Sequence, residues 1–299
     1  MSLPRIGVFD SGVGGLTVLK ALAEHLRAHY LYFGDTARLP YGTKSAETVA
    51  RYAIAATRFL EAQNIDLLVI ACNTATALAL PAIEDAARVP LIGVVEPGAS
   101  MAAEVSKSGA AIVIATEATV SSHAYRDALA RHRLASLEKA CPLFVPLVEE
   151  GWIEHPVTEQ VARIYLDEAL SQAPPGADVL VLACTHYPLI APLLRRILPE
   201  KIQIVDSAES TARVVSSMLA GSTDVHASSR ELRAASSESL PSRMTAAAST
   251  RTSATISTAN SAEHRTFRFY VTDSTDKFKR LAMRFLGRQV DHVEHADLE

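Results

Sequence analysis

Two cysteines sit in matched surroundings. Residues 67–77 read LLVIACNTATA and residues 179–189 read VLVLACTHYPL. Each apolar run ends in Ala-Cys, at Cys72 and Cys184. Hydrogen-bonding side chains follow, Asn73 and Thr74 in the first and Thr185 and His186 in the second. A short apolar run bounded in this way reads as a buried strand, and open parallel sheets bind ligands beyond the carboxyl ends of their strands. A thiol where a strand hands over to a helix is expected to feel the positive end of the helix dipole, which lowers its pKa towards thiolate. Two such thiols facing one another suit the removal of a proton from one face of a carbon and its return to the other face. That is two-base racemisation or epimerisation, which needs no cofactor in principle. The α-hydrogen of an amino acid is only weakly acidic, so donors must hold the α-carboxylate and spread the developing charge. The Asn and Thr side chains and helix N-terminal amides can supply them. Asp10, Glu149 and His186 fall at expected strand ends, where each can tune or share a proton with a thiol.

Blander readings stand beside this one. A single cysteine after an apolar strand is commonly a small buried residue, although the repeated context argues against that for both at once. His186 can be a satisfied buried histidine, and Glu149 with Glu150 the edge of a solvated loop. Cys72, Cys184 and His186 can be read as a zinc set, but their spacing is not that of a usual site. Cys141 lacks the shared context, precedes Pro142 and reads as structural.

The elements that must position these groups alternate. A strand at residues 6–9 ends in Asp10-Ser11-Gly12-Val13-Gly14-Gly15, and helical spacing follows over 16–26. Glycines at such a turn let N–H groups approach an anion, but the spacing is not G-x-G-x-x-G. Further strands are expected at 30–33, 91–95, 112–115, 143–148, 202–205 and 267–271. Of these, 91–95 ends in Glu96-Pro97-Gly98 and 143–148 in Glu149-Glu150-Gly151. Helices are expected over 47–63, from near Thr76 to Pro90, from Thr116 onwards, over 158–169 and over 276–286. The alternation implies an α/β fold with doubly wound parallel sheets.

A length of 299 residues suffices for two such domains, and a net charge of −4 offers no basic field to nucleic acid or an acidic membrane. No apolar run approaches the roughly 20 residues that span a bilayer. Met1 leads almost directly into a strand, and the three cysteines have no C-x-x-C spacing, which together point to a reduced, cytoplasmic protein. Residues 222–264 are dominated by Ser, Thr and Ala and are expected to be a disordered surface excursion.

Taken together, the motifs resemble those of the cofactor-independent glutamate racemases. The resemblance runs through IGVFDSGVGGLTVL (6–19), YFGDTARLPYG (32–42), IACNTATA (70–77), GVVEPGA (93–99) and TEATVSS (116–122). It continues through CPLFVPLVEEG (141–151), ACTHYPLI (183–190), VDSAE (205–209) and FYVTD (269–273), and spans nearly the whole chain outside 222–264. It implies that Cys72 and Cys184 are the proton-transfer residues, Asp10 assisting the first and Glu149 and His186 the second. It implies substrate contacts from Asp10, Ser11, Tyr41, Gly42, Asn73, Thr74, Thr185 and His186, with Thr116 and Thr119 added. The implied fold is two pseudo-symmetric α/β domains, residues 1–96 with 208–299 and residues 97–207, with the active site in the cleft between them. The implied protein is a homodimer that acts on glutamate without cofactor or metal and supplies D-glutamate for peptidoglycan. Ala115 and Ala183 stand where many members carry glycine, and the 222–264 segment is unusual for the family. An aspartate racemase and a catalytically silent amino-acid-binding protein remain the competing readings.

Overall fold

The structure, a computed structural model, describes residues 3–221 and 265–298. The segment expected to be disordered, 222–264, lies outside the described residues. In chain order the first half runs β1 (Arg5–Asp10), α1 (Leu16–His25), β2 (His29–Gly34), α2 (Ala46–Ala62), β3 (Leu67–Ile70), α3 (Asn73–Ala86), β4 (Leu91–Gly93) and α4 (Val95–Val105). Next come β5 (Ala110–Ala115), α5 (Glu117–Ser122), α6 (Ala124–Arg131), β6 (Ala135–Ala140), α7 (Phe144–Glu149) and α8 (Pro156–Gln172). The chain continues through β7 (Val179–Ala183), α9 (Ala191–Ile197), β8 (Gln203–Asp206) and α10 (Ser207–Gly221). It closes with β9 (Phe267–Val271), α11 (Thr275–Leu286) and β10 (Glu294–His295).

Among the described residues the strands form two sheets, six strands in the order β10-β9-β2-β1-β3-β4 and four in the order β6-β5-β7-β8, all pairs parallel. The central strands are apolar on both faces because helices cover both, as a parallel sheet requires. Phe9, Phe33, Leu68 and Ile70 face α2 and α3 through Val49, Leu60, Ala75 and Ile83. Ile6, Val8, Tyr32 and Val69 face the other way, into a core that continues through Leu16 and Leu19 to Ile112, Ile114, Leu180 and Leu182 of the second sheet. One apolar core therefore joins the two sheets, and α1 and α10 pack together within it. The outer face of the second sheet, through Val113 and Val181, packs on Ala99, Tyr125 and Leu129.

The α/β class with parallel sheets is as expected, and several elements differ. The stretch 143–148 is not a strand but belongs to helix α7, with Phe144 and Val148 buried one turn apart and Pro146 in the first turn, where its missing N–H costs nothing. The strand in this region is β6, an edge strand carrying Glu138 and Lys139, whose apolar signal is weak. Glu96, Pro97 and Gly98 do not follow a strand to residue 95. β4 stops at Gly93, and these residues open α4, again with proline in the first turn. Helix α3 begins at Asn73, three residues before Thr76. The 96/97 and 207/208 joints fall inside α4 and α10. Among the described residues no helix is long and apolar enough to cross a membrane.

Candidate active site

The carboxyl ends of β1, β3, β5 and β7 open onto one cavity of about 400 Å³, and both Cys72 and Cys184 line it. Cys72 is the N-cap of α3. Its Sγ accepts a hydrogen bond from the Ala75 N–H at 3.4 Å and donates to Ser11 Oγ, just past β1, at 3.4 Å. Cys184 follows β7, and the chain then makes a 3-10 turn (Tyr187–Ile190) before α9 begins. Cys184 therefore has no α-helix N-terminus directly behind it. Its partner is His186, whose Nδ1 lies 4.0 Å from the sulfur and whose Nε2 lies 3.1 Å from Glu149 Oε1. Glu149 reaches that place from the carboxyl end of α7, not from a strand end.

Ser11, Tyr41, Gly42, Asn73, Thr74, Thr116, Thr185, Glu149 and His186 share the cavity wall with the two thiols. Asp10 and Thr119 do not. Asp10 is 1 % exposed beneath the wall, with Oδ2 accepting from the Gly12 N–H at 2.9 Å and Oδ1 without a hydrogen-bond partner. Thr119 bonds Thr74 at 3.2 Å and Thr116 at 3.0 Å, closing a triangle of hydroxyls with the Thr74–Thr116 contact of 3.0 Å. Thr116 is also the N-cap of α5 and accepts the Thr119 N–H. The remaining wall, including Leu39, Pro40, Pro142, Val145 and Pro146, was not singled out from sequence. The last three come from the end of β6 and from α7, whose register the misread strand concealed.

Some polar groups of the wall are already engaged. The Tyr125 hydroxyl donates to Asn73 Oδ1 at 2.6 Å, and Asn73 Nδ2 donates to Ser207 Oγ at 3.1 Å. The Tyr41 hydroxyl donates to Asp35 Oδ2 at 2.6 Å, behind a cis Leu39-Pro40 bond. At Gly14, opening α1, a Cβ would collide with Thr185 Oγ1 and the His186 ring. A glycine is required by that close approach.

The electrostatics differ on the two sides. Burial, reinforced by the Asp10 charge, pushes the Cys72 thiol up to about 12, against the bonds from Ser11 and Ala75. This reverses the lowering expected from a helix N-terminus, because losing water around a thiolate costs more than the dipole returns. Burial also raises Asp10, against the His186 charge and the Gly15 and Gly12 amides. Burial pulls His186 down, but the hydrogen bonds and charges of Cys184 and Glu149 prevail and hold it up at about 10. Burial pushes Glu149 up, and the His186 bond and charge, with Lys277 and Arg284, outweigh that and hold it below the usual range. An imidazolium is therefore flanked by a sulfur and a carboxylate across the neutral range. Cys141 is fully buried away from the cavity, and its thiol is raised to about 12, chiefly by burial.

Comparison with known proteins adds to this geometry. The family model described as Asp/Glu/Hydantoin racemase matches residues 6–215. The glutamate racemase of Koribacter versatilis is 57 % identical over 297 residues, 99 % of this chain and 98 % of that one. Among solved structures, the chain is similar to the glutamate racemase of Francisella tularensis in complex with D-glutamate, at TM-score 0.81 and 30 % identity, covering 100 % of this chain and 99 % of that one. It is also similar to that of Thermus thermophilus in complex with β-chloro-D-alanine, at TM-score 0.77 and 39 % identity, covering 99 % and 97 %.

Proposed function

Because this chain belongs to the Asp/Glu/Hydantoin racemase family, we propose that its cavity interconverts L- and D-glutamate by proton transfer between the α-carbon and two cysteines. The observation that carries the reading is the placement of Cys72 and Cys184 on one cavity with different proton partners. Cys72 rests as a thiol and is the acid of the first half-reaction. Cys184 is the base, and the His186 imidazolium beside it, held by Glu149, supports negative charge on its sulfur. Substrate sits with its α-carbon between the sulfurs. The Cys184 sulfur takes the α-proton from one face while the Cys72 thiol delivers its proton to the other, so the resting roles are exchanged after each turnover and restored by the reverse reaction or by solvent. Asp10, buried beneath the wall and acting on Cys72 through its charge, assists on that side by keeping the Cys72 proton in place until the carbon takes it.

Charge developing on the α-carboxylate is met by donors fixed in advance, the backbone N–H groups and hydroxyls of Ser11, Asn73, Thr74 and Thr185. Tyr41 and Asn73 have their side chains engaged, so the 41–42 loop and the start of α3 contribute backbone groups. The Thr74 and Thr116 hydroxyls, held from behind by Thr119, form the wall for the side-chain carboxylate. We assign residues 1–96 with 208–299 to one domain and 97–207 to the other, a division supported by the pairing of β9 and β10 into the first sheet. The scheme uses no cofactor or metal. The product role we assign is supply of D-glutamate for peptidoglycan by a cytoplasmic homodimer, on the strength of the family likeness.

The test is incubation of the full chain with L-glutamate in deuterated water. The reading predicts D-glutamate carrying deuterium at the α-carbon. Failure to form any D-isomer, or a D-isomer that keeps its original hydrogen, contradicts it.

A further inference from the structure

Helix α7 is only six residues long, and its carboxyl end has carbonyls that the helix itself cannot pair. The turn that follows pairs the Leu147 and Val148 carbonyls through the Trp152 and Gly151 N–H groups, and a side chain of α11 reaches both the Val148 and the Glu149 carbonyl. Arg284, on α11, donates through Nη1 to the Val148 carbonyl at 3.2 Å and to the Glu149 carbonyl. The chain then turns at Gly151, with φ +84°, and a Cβ at that position would run into the Arg284 guanidinium. The residue after Arg284 is Phe285, whose ring meets the His186 ring edge-on at 5.1 Å between centroids. Lys277, two turns earlier on α11, acts on Glu149 through its charge. Thus one helix that follows a strand of the first sheet touches the backbone of Glu149 and the ring of His186, which both belong to the second-sheet side.

We propose that Arg284 is a positioning residue for the acid–base pair beside Cys184: by binding the last carbonyls of α7, it sets where the Glu149 carboxylate meets His186. This rests on the two-cysteine reading above. Arg284 touches no reacting atom. Both bonds come from one nitrogen, Nη1, of a planar and rigid guanidinium, which a lysine ammonium on a flexible stem imitates only in part. Without it, the end of α7 keeps only the turn bonds from the Glu150, Gly151 and Trp152 N–H groups and the Glu149 carbonyl loses its side-chain donor; a displacement of the order of 1 Å at Glu149 lengthens its 3.1 Å contact with His186.

The test compares Arg284→Met and Arg284→Lys with Arg280→Met, an exposed position one turn earlier on the same helix, and with Glu149→Gln and His186→Asn. Racemisation is followed over pH in the full chain. His186 faces Cys184, Glu149 and Asp10, and Glu149 faces Lys277 and Arg284. With Glu149 less well placed, His186 holds its proton less tightly, so the alkaline limb of kcat/KM moves to lower pH. Arg284→Met is expected to lower kcat by about 10- to 100-fold with KM little changed and with that shift. Arg284→Lys should recover part of both, and Arg280→Met should match the unaltered chain. A cap that only stabilises α7 would lower the melting temperature of Arg284→Met and leave kcat and the limb in place, which overturns the proposal. Should Arg284→Met fail to fold, Arg284→Lys is read in the same way, an unmoved limb counting against the proposal. If Glu149→Gln and His186→Asn also keep full turnover, the fault lies in the two-cysteine reading itself.

Discussion

Burial holds Cys72 as a thiol, whereas the Cys184 sulfur meets a protonated imidazole at 4.0 Å. The two cysteines are thus matched in sequence context and unlike in their partners. Replacing either with serine, a far weaker acid, is expected to lower racemisation by ~10²- to 10⁴-fold, measured by polarimetry in both directions. Near-normal turnover of either variant contradicts two-base chemistry. The histidine has a stability signature as well. Its folded-state pKa lies above the ordinary value of about 6.5, so its contribution is complete below that value and is lost as pH rises through about 10. Urea melts should therefore show the stability gap between the unaltered chain and His186→Asn narrowing from pH 7 to pH 10, and a constant gap would be inconsistent with the pairing. Much of this site was readable as residues at the ends of apolar runs. The state of Cys72 was not, because desolvation depends on what packs over the sulfur. Nor could sequence tell that Asp10 and Thr119 are buried outside the cavity lining.

At the scale of elements, the site depends on helix starts packed against strand ends. Gly14, at the opening of α1, lies against Thr185 and His186 so closely that an added methyl must displace one of them. Gly14→Ala is expected to cost about 1–3 kcal/mol in denaturant melts and to reduce kcat as His186 moves. A variant with unaltered stability and kcat would show that this approach is slack. The strands flanking both cysteines were legible because they are buried on both faces and read as unbroken apolar runs. β6 was not, being an edge strand with Glu138 and Lys139. The apolar residues of FVPLVE look the same as a strand or as a short helix. The outcome is decided by burial of Phe144 and Val148 on one helical face and by a proline that a first turn accepts.

At the scale of the molecule, the cavity depends on groups drawn from both sheets being tied together. Asn73 is the clearest tie, bonded to Tyr125 of α6 and to Ser207 of α10. Removing the Tyr125 hydroxyl (Tyr125→Phe) leaves Asn73 Oδ1 buried without that donor and should cost about 1–3 kcal/mol, seen as a lower melting temperature with a raised KM. An unchanged melting temperature would mean the tie carries no load. The parallel α/β class was legible from alternation, but the single core running from Ile6 and Val8 to Leu180 and Leu182 was not, since no local pattern reports which face of one sheet meets which face of another. The most direct measurement for the central claim is a structure of the chain with glutamate bound. The account predicts the α-carbon between the two sulfurs, each within roughly 3.5 Å and on opposite faces. Both sulfurs on the same face, or either beyond reach of that carbon, would contradict it.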